Sequence, residues 1–170
     1  MGGMLMYNFK VKSAIHDYEV EFIDNLNGVL TNELCEGDFL IIDTKIKELY
    51  YDQFQSILEK HQYITVDASE SLKSYKGIMP VMQVLIENGF RKNNRLIAIG
   101  GGITQDVTAF ISSIMYRGVS WVFFPTSLLA QGDSCIGSKT SINFDKFKNL
   151  VGGFYPPNKI YIYPEFLETL

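Results

Sequence analysis

The chain has 170 residues, a formal net charge of −4, and 46% apolar against 20% charged residues. That length suits one domain with a sizeable core, and the acidic balance argues against nucleic acid as a partner, because nucleic acid selects a basic footprint. No apolar run approaches the roughly 20 residues needed to cross a bilayer, so no membrane partner is expected.

The opening MGGMLMYNFK lacks the charged-then-apolar shape of a signal peptide. Cys35 and Cys135 lie far apart with no CxxC, and His16 and His61 form no ligand cluster. Neither a disulfide framework nor a structural zinc site is expected, and a reducing cytoplasm is the simplest setting.

Tyr7, Phe9 and Val11 alternate with polar residues, as do Tyr18, Val20 and Phe22. This predicts a β-hairpin turning near Ser13 to Asp17, with His16 a solvated loop residue. A short helix is expected over Asp24 to Leu34, capped by Asp24. Gly37 to Asp43 reads as an apolar strand ending in an acid, followed by one amphipathic helix over Ile46 to Leu58. Asp43 is then either a helix N-cap or a carboxylate at the carboxyl end of a parallel strand, where it can accept ribose hydroxyls.

Tyr63 to Val66 is a third short strand. Ser69 and Glu70 read as a helix start, and Lys73 as an exposed charge. The helix runs to a C-cap at Asn88-Gly89, with its methionines filling the core.

Leu96-Ile97-Ala98-Ile99 is an unbroken apolar run, as a strand buried on both faces would be. Gly100, Gly101 and Gly102 follow, then Val107, Phe110, Ile111 and Ile114 at helical spacing. Strand, glycine turn and helix together bring bare backbone N–H groups to a phosphate, with glycine permitting positive φ and close approach. The dinucleotide fingerprint G-x-G-x-x-G would need glycine at position 105, where this chain has Gln105. Asp106 falls in the first turn of that helix, where the dipole favours a carboxylate.

Val119 to Phe124 and Lys159 to Tyr163 complete the strands. Alternating β and α elements predict an α/β, Rossmann-like, doubly wound and mostly parallel sheet with an N-terminal β-hairpin. Gly137-Ser138-Lys139-Thr140 imitates the end of a P-loop, but Asp133 stands where the first glycine belongs, so a nucleotide triphosphatase is rejected.

Several motifs occur together and in order: GGGITQD (100–106), RG (117–118), PTSLLAQGDS (125–134), GSKT (137–140) and KNLVGGFYPP (148–157). Over roughly residues 37 to 170 the chain closely resembles 3-dehydroquinate synthase and its sugar-phosphate-cyclase relatives. The resemblance implies NAD as a recycled cofactor and an anionic sugar phosphate as substrate. It implies NAD contacts from Asp43, Glu70, Lys73, Gly101, Gly102, Ile103, Asp106, Thr126, Ser127, Leu129, Lys139, Lys148 and Thr169. The matching pattern also implies substrate-side, catalytic roles for Asp133, Lys139 and Asn149.

The same resemblance implies a zinc or cobalt ion held by a glutamate and two histidines of a following helical domain, so no metal ligand is expected in residues 1–170. The chain is expected to be the N-terminal cofactor domain, without turnover alone, of a cytoplasmic homodimeric lyase of the shikimate pathway. Gln105 replaces a family glycine, and Cys135 and Ser138 replace a serine and a glycine, so a cyclase for a different sugar phosphate is the nearest alternative. A non-catalytic nucleotide-binding module and a glycerol-type alcohol dehydrogenase are the others.

Overall fold

The computed structural model describes residues 7–170. Most of the opening stretch read for signal-peptide character lies outside the described residues. The expected hairpin is present as strands β1 (Phe9–Val11) and β2 (Tyr18–Phe22), paired antiparallel with Val11 opposite Tyr18. His16 is not simply solvated: its Nε2 lies 3.3 Å from the carbonyl oxygen of Pro157, and its ring meets Tyr155 edge-on.

The first helix, α1 (Leu26–Glu33), starts later than expected and is capped by Asn25, whose side chain accepts from Gly28 N–H. Strand β3 (Phe39–Asp43) follows. The expected single helix is instead two, α2 (Thr44–Leu49) and α3 (Tyr51–Leu58), broken at Tyr50. Tyr50 turns its hydroxyl onto the carbonyl of Glu165, and its ring packs edge-on against Phe166, so a distant contact overrides the local helical pattern.

Strand β4 (Gln62–Val66) leads to helix α4 (Tyr75–Glu87). Its N-cap is Ser74, which accepts from Gly77 N–H, so Ser69-Glu70 is not a helix start. Met79 is exposed rather than core-filling. Strand β5 (Leu96–Gly100), helix α5 (Gly102–Ile114) and strand β6 (Trp121–Pro125) follow, then strands β7 (Lys139–Phe144), β8 (Phe147–Phe154) and β9 (Lys159–Ile162). Val107, Phe110 and Ile111 are buried as their spacing requires, but Ile114 is exposed, because the chain leaves the sheet at that end.

The main sheet has seven strands in the order β1-β2-β9-β6-β5-β3-β4, parallel except for β1. Alternate strand residues feed two cores. Ile41, Ala98, Phe123 and Ile160 pack under α4 and α5, while Ile42, Ile99, Phe124 and Tyr161 pack under α1, α3 and Phe166. Burial on both faces explains why these strands read as unbroken apolar runs.

The chain steps outward from β3 to β4, then returns to β5 on the other side of β3. The β3–β5 boundary is therefore a topological switch point, where the carboxyl ends of parallel strands open a crevice. Ile42 pairs with Ile99, which brings Asp43 alongside Gly100 and the glycine turn. β7 and β8 form a separate two-stranded hairpin, which no sequence pattern announced.

Candidate functional site

The site begins at the glycine turn. None of Gly100, Gly101 and Gly102 has positive φ, so conformational freedom is not their use here. Close approach is. A Cβ on Gly100 would meet Thr104 Oγ1 at 2.4 Å, while one on Gly102 would meet nothing within 4 Å. Gly101 is the N-cap of α5 and makes no side-chain cap bond. The helix start therefore presents backbone N–H groups and the positive end of its dipole to open space.

Thr126 donates its N–H to the Gly100 carbonyl at 3.0 Å, which sets the end of β6 against the turn. Ser127 follows, with its Oγ near where a Gly101 Cβ would stand and accepting from Ala130 N–H at 3.2 Å. Ile103 is half-buried beside them, and Leu129 is exposed at the surface. Asp43 both ends β3 and caps α2: its Oδ1 accepts from Lys45 and Ile46 N–H. Oδ2 takes part in neither bond, so capping and ligand contact are compatible. With Lys45, Asp67 and Ser69, Asp43 lines a recess of about 250 Å³.

A cleft of about 490 Å³ gathers Lys73, Asp106, Asp133, Lys139 and Asn149. Lys73 is buried, against expectation, and bonds Asp106 at 2.5 Å and Asn149 Oδ1. Asp106 is the fifth residue of α5, beyond the first turn, so this lysine rather than the dipole is its nearest charge. Burial pushes the Asp106 carboxyl above the usual carboxylate range, and Lys73 partly offsets this. Lys139 and Asp133 are exposed at the rim.

Asn143, unremarked in the sequence, ties the cleft's outer wall together. It sits at an irregularity of the β7–β8 register and donates to Glu70 Oε2 at 2.8 Å, while its Oδ1 accepts from Asn149 N–H at 3.0 Å. The bond from Asn143 holds the Glu70 carboxyl below its ordinary range, and Lys148, 3.6 Å away, adds to this. Asn149 adopts a left-handed φ of 54°, a conformation asparagine tolerates, and this presents its amide to Lys73.

Gln105 stands where the family pattern has glycine. It is buried and turned toward Ser134, on the cleft wall. Thr169 lies apart, bonded to Tyr50 Oη at 3.1 Å beyond the end of β9.

Larger recesses exist elsewhere. One of about 740 Å³ lies at the amino ends of β3, β4 and β5, lined by Lys60, His61 and Arg91 among others, at the opposite end from the glycine turn. Among the described residues, no group of three or more His, Cys, Asp or Glu side chains could hold a metal ion. Both cysteines are free, and no helix among the described residues is long and apolar enough to cross a membrane.

Known proteins resemble this chain in sequence and in fold. The chain is 35% identical to the 3-dehydroquinate synthase of Streptococcus equi subsp. equi over 168 residues, covering 95% of this chain and 46% of the relative. It is 38% identical to the bifunctional 3-dehydroquinate synthase/phosphatase of Fusobacterium nucleatum, covering 93% of this chain and 22% of the relative. The chain thus spans about half the length, or less, of the curated relatives it matches.

Among solved structures, the 2-epi-5-epi-valiolone synthase ValA of Streptomyces hygroscopicus, with NAD+ and Zn2+ bound, superposes with a TM-score of 0.81 at 29% identity, covering 90% of this chain and 44% of that one. A 2-deoxy-scyllo-inosose synthase complexed with carbaglucose-6-phosphate, NAD+ and Co2+ shares the fold with a TM-score of 0.81 at 20% identity, covering 95% of this chain and 47% of that one. The family described as 3-dehydroquinate synthase N-terminal matches residues 63–170, so the chain belongs to the 3-dehydroquinate synthase family.

Proposed function

We propose that this chain is the NAD-binding N-terminal domain of a 3-dehydroquinate synthase, a lyase that converts 3-deoxy-arabino-heptulosonate 7-phosphate to 3-dehydroquinate with elimination of phosphate. The observation that carries the proposal is the convergence of Lys73, Asp106, Asp133, Lys139 and Asn149 in one cleft, where Asp106 comes from the helix that follows the glycine turn and starts without a side-chain cap. The residues present fit NAD: the space over Gly102 is open, and Asp43 stands at the neighbouring strand end.

NAD, when bound, supplies reversible hydride acceptance, so that one substrate hydroxyl can be oxidised and later restored. Gly101, Gly102 and Ile103 offer backbone N–H groups to the pyrophosphate, and Asp43 accepts ribose hydroxyls. Thr126, Ser127, Leu129, Glu70, Lys73, Asp106, Lys148 and Thr169 would complete the set that holds the cofactor.

Lys139 supplies positive charge to the substrate phosphate at the rim, where a mobile ammonium can follow a leaving group. Asp133 orients substrate hydroxyls, and Asn149, held by Lys73, presents a neutral amide. Among the described residues, no cluster of side chains fits a divalent metal. On this reading zinc or cobalt belongs to a second, helical domain, and the working enzyme is a cytoplasmic homodimer of the shikimate pathway.

A second reading, a cyclase for a different sugar phosphate, is favoured by one observation: Gln105, where the family pattern has glycine, lines the cleft itself. Phosphate release by the complete gene product, supplied with NAD and zinc or cobalt, separates the two. Release from the heptulosonate phosphate but not from hexose phosphates is expected. Release from a hexose phosphate alone would transfer the assignment to the second reading.

A further inference from the structure

Asp133 sits on an unusual stretch of backbone. Ala130–Ser134 forms a single π-helical turn, in which Cys135 N–H reaches back to the Ala130 carbonyl at 3.1 Å. Such turns are rare and are frequent at functional sites. The turn includes Gly132, so its own backbone does little to fix the direction of Asp133.

Two glutamines anchor it, one on each side of Asp133. Gln131 Nε2 donates to the carbonyls of Pro125 at 3.1 Å and Tyr163 at 2.9 Å, which fixes the near end to β6 and the end of β9. Gln105 fixes the far end. Its Nε2 donates to the Ser134 carbonyl at 2.6 Å, and its Oε1 accepts from Ser134 Oγ at 2.9 Å.

Gln105 is 3% exposed, and its two side-chain polar atoms are both engaged by Ser134. It is next in sequence to Asp106, so the same half-turn of α5 that carries Asp106 also sets the loop that carries Asp133. A glycine at 105 would leave the Ser134 carbonyl and hydroxyl without these partners.

We propose that Gln105 is a positioning residue: clipped to Ser134, it sets Asp133 relative to Asp106 and Lys139 and so governs which substrate the cleft accepts. The inference about substrate rests on the cyclase reading; the clip itself does not. Loss of two buried hydrogen bonds allows an effect on the order of tenfold in the affinity they organise.

Two measurements on Gln105→Ala and Gln105→Met test it, Met keeping the volume of the wall without the bonds. The first is amide hydrogen exchange of this chain. Both substitutions are expected to speed exchange over residues 130–136 by about tenfold or more, while exchange in β5 and β6 stays unchanged. Unchanged exchange over 130–136 would overturn the clip, whatever the substrate turns out to be.

The second measurement uses the complete gene product. Substrate KM is expected to rise about tenfold in both variants, with the NAD dissociation constant within about twofold of wild type. Equal weakening of NAD and substrate, or wild-type KM in Gln105→Met, would overturn the positioning role. Failure of the cyclase reading is seen separately, as absence of phosphate release by the wild-type protein.

Discussion

At the scale of residues, the site is held by contacts that tolerate little change. A Cβ on Gly152 would lie 1.9 Å from the Thr140 carbonyl oxygen, inside the β7–β8 pair. Backbone cannot yield as a flexible side chain can, so Gly152→Ala is expected to part the hairpin. Thermal melting should fall by several degrees, and Asn149, on the same strand, should lose its place beside Lys73. A variant that melts like wild type would show that the hairpin absorbs the methyl group.

Cys135 is 1% exposed, and burial pushes its thiol up to about 11, whereas Cys35 is exposed. The thiolate is the reactive form, so alkylation of the native chain is expected to modify Cys35 quickly and Cys135 only on unfolding. Rapid labelling of both thiols would contradict the buried placement.

Tyr161 is raised from 10.0 to about 12, first by burial and then by its bond to Glu33. The unfolded tyrosine ionises first, so the stability contributed by the native phenol is complete below pH 10 and lost as pH climbs toward 12. Melting temperature should drop across that window, and Tyr161→Phe should flatten part of the drop. An equal drop in the variant would place the alkaline loss elsewhere, for example at Tyr163, raised to about 12 as well.

At the scale of elements, the strand–turn–helix unit from Leu96 to Ile114 was legible because it depends on local signals: an apolar run, glycines and helical periodicity. Its use of glycine was legible only in part. The sequence offers both positive φ and close approach, and the structure uses only the second: the missing Cβ gives approach to Thr104 and open space over Gly102.

This separation gives a test. Gly102→Val should leave melting within a few degrees yet weaken NAD binding about tenfold or more by titration calorimetry, because the new side chain would fill the phosphate approach. Undiminished NAD binding would remove the pyrophosphate from this turn.

Long-range pairings were the illegible part. Lys73 reads as a surface charge in its own stretch and becomes a buried one only through Asp106 and Asn149, 33 and 76 positions away. Ser69, Ser71 and Ser74 are all competent helix caps, and Ser74 wins because its Oγ reaches Gly77 N–H. The β7–β8 hairpin escaped notice because β8 is exposed along most of its length, so no apolar alternation marks it. Asp43 could be read two ways, and it caps α2 while standing at the switch point.

At the scale of the whole molecule, the sheet sets Asp43, the glycine turn and Thr126 at the carboxyl ends of β3, β5 and β6, with the segment after β4 and the β7–β8 hairpin supplying Lys73, Lys139 and Asn149. That hairpin exposes Phe144, Phe147, Leu150 and Phe154, of which Leu150 and Phe154 line the cleft. The chain spans about half the length of its 3-dehydroquinate synthase relatives, and we expect it to bind NAD but to show no turnover alone. Product formation by the 170 residues by themselves would refute that expectation.

The central claim is that NAD is recycled in this site rather than consumed. The most direct measurement is phosphate release by the complete gene product from 3-deoxy-arabino-heptulosonate 7-phosphate, with zinc or cobalt present, with and without NAD, while net NADH is followed. If NAD is recycled, many phosphates are released per NAD, none without NAD, and no net NADH forms. One NADH formed per substrate consumed would contradict it and mark a dehydrogenase on the same fold.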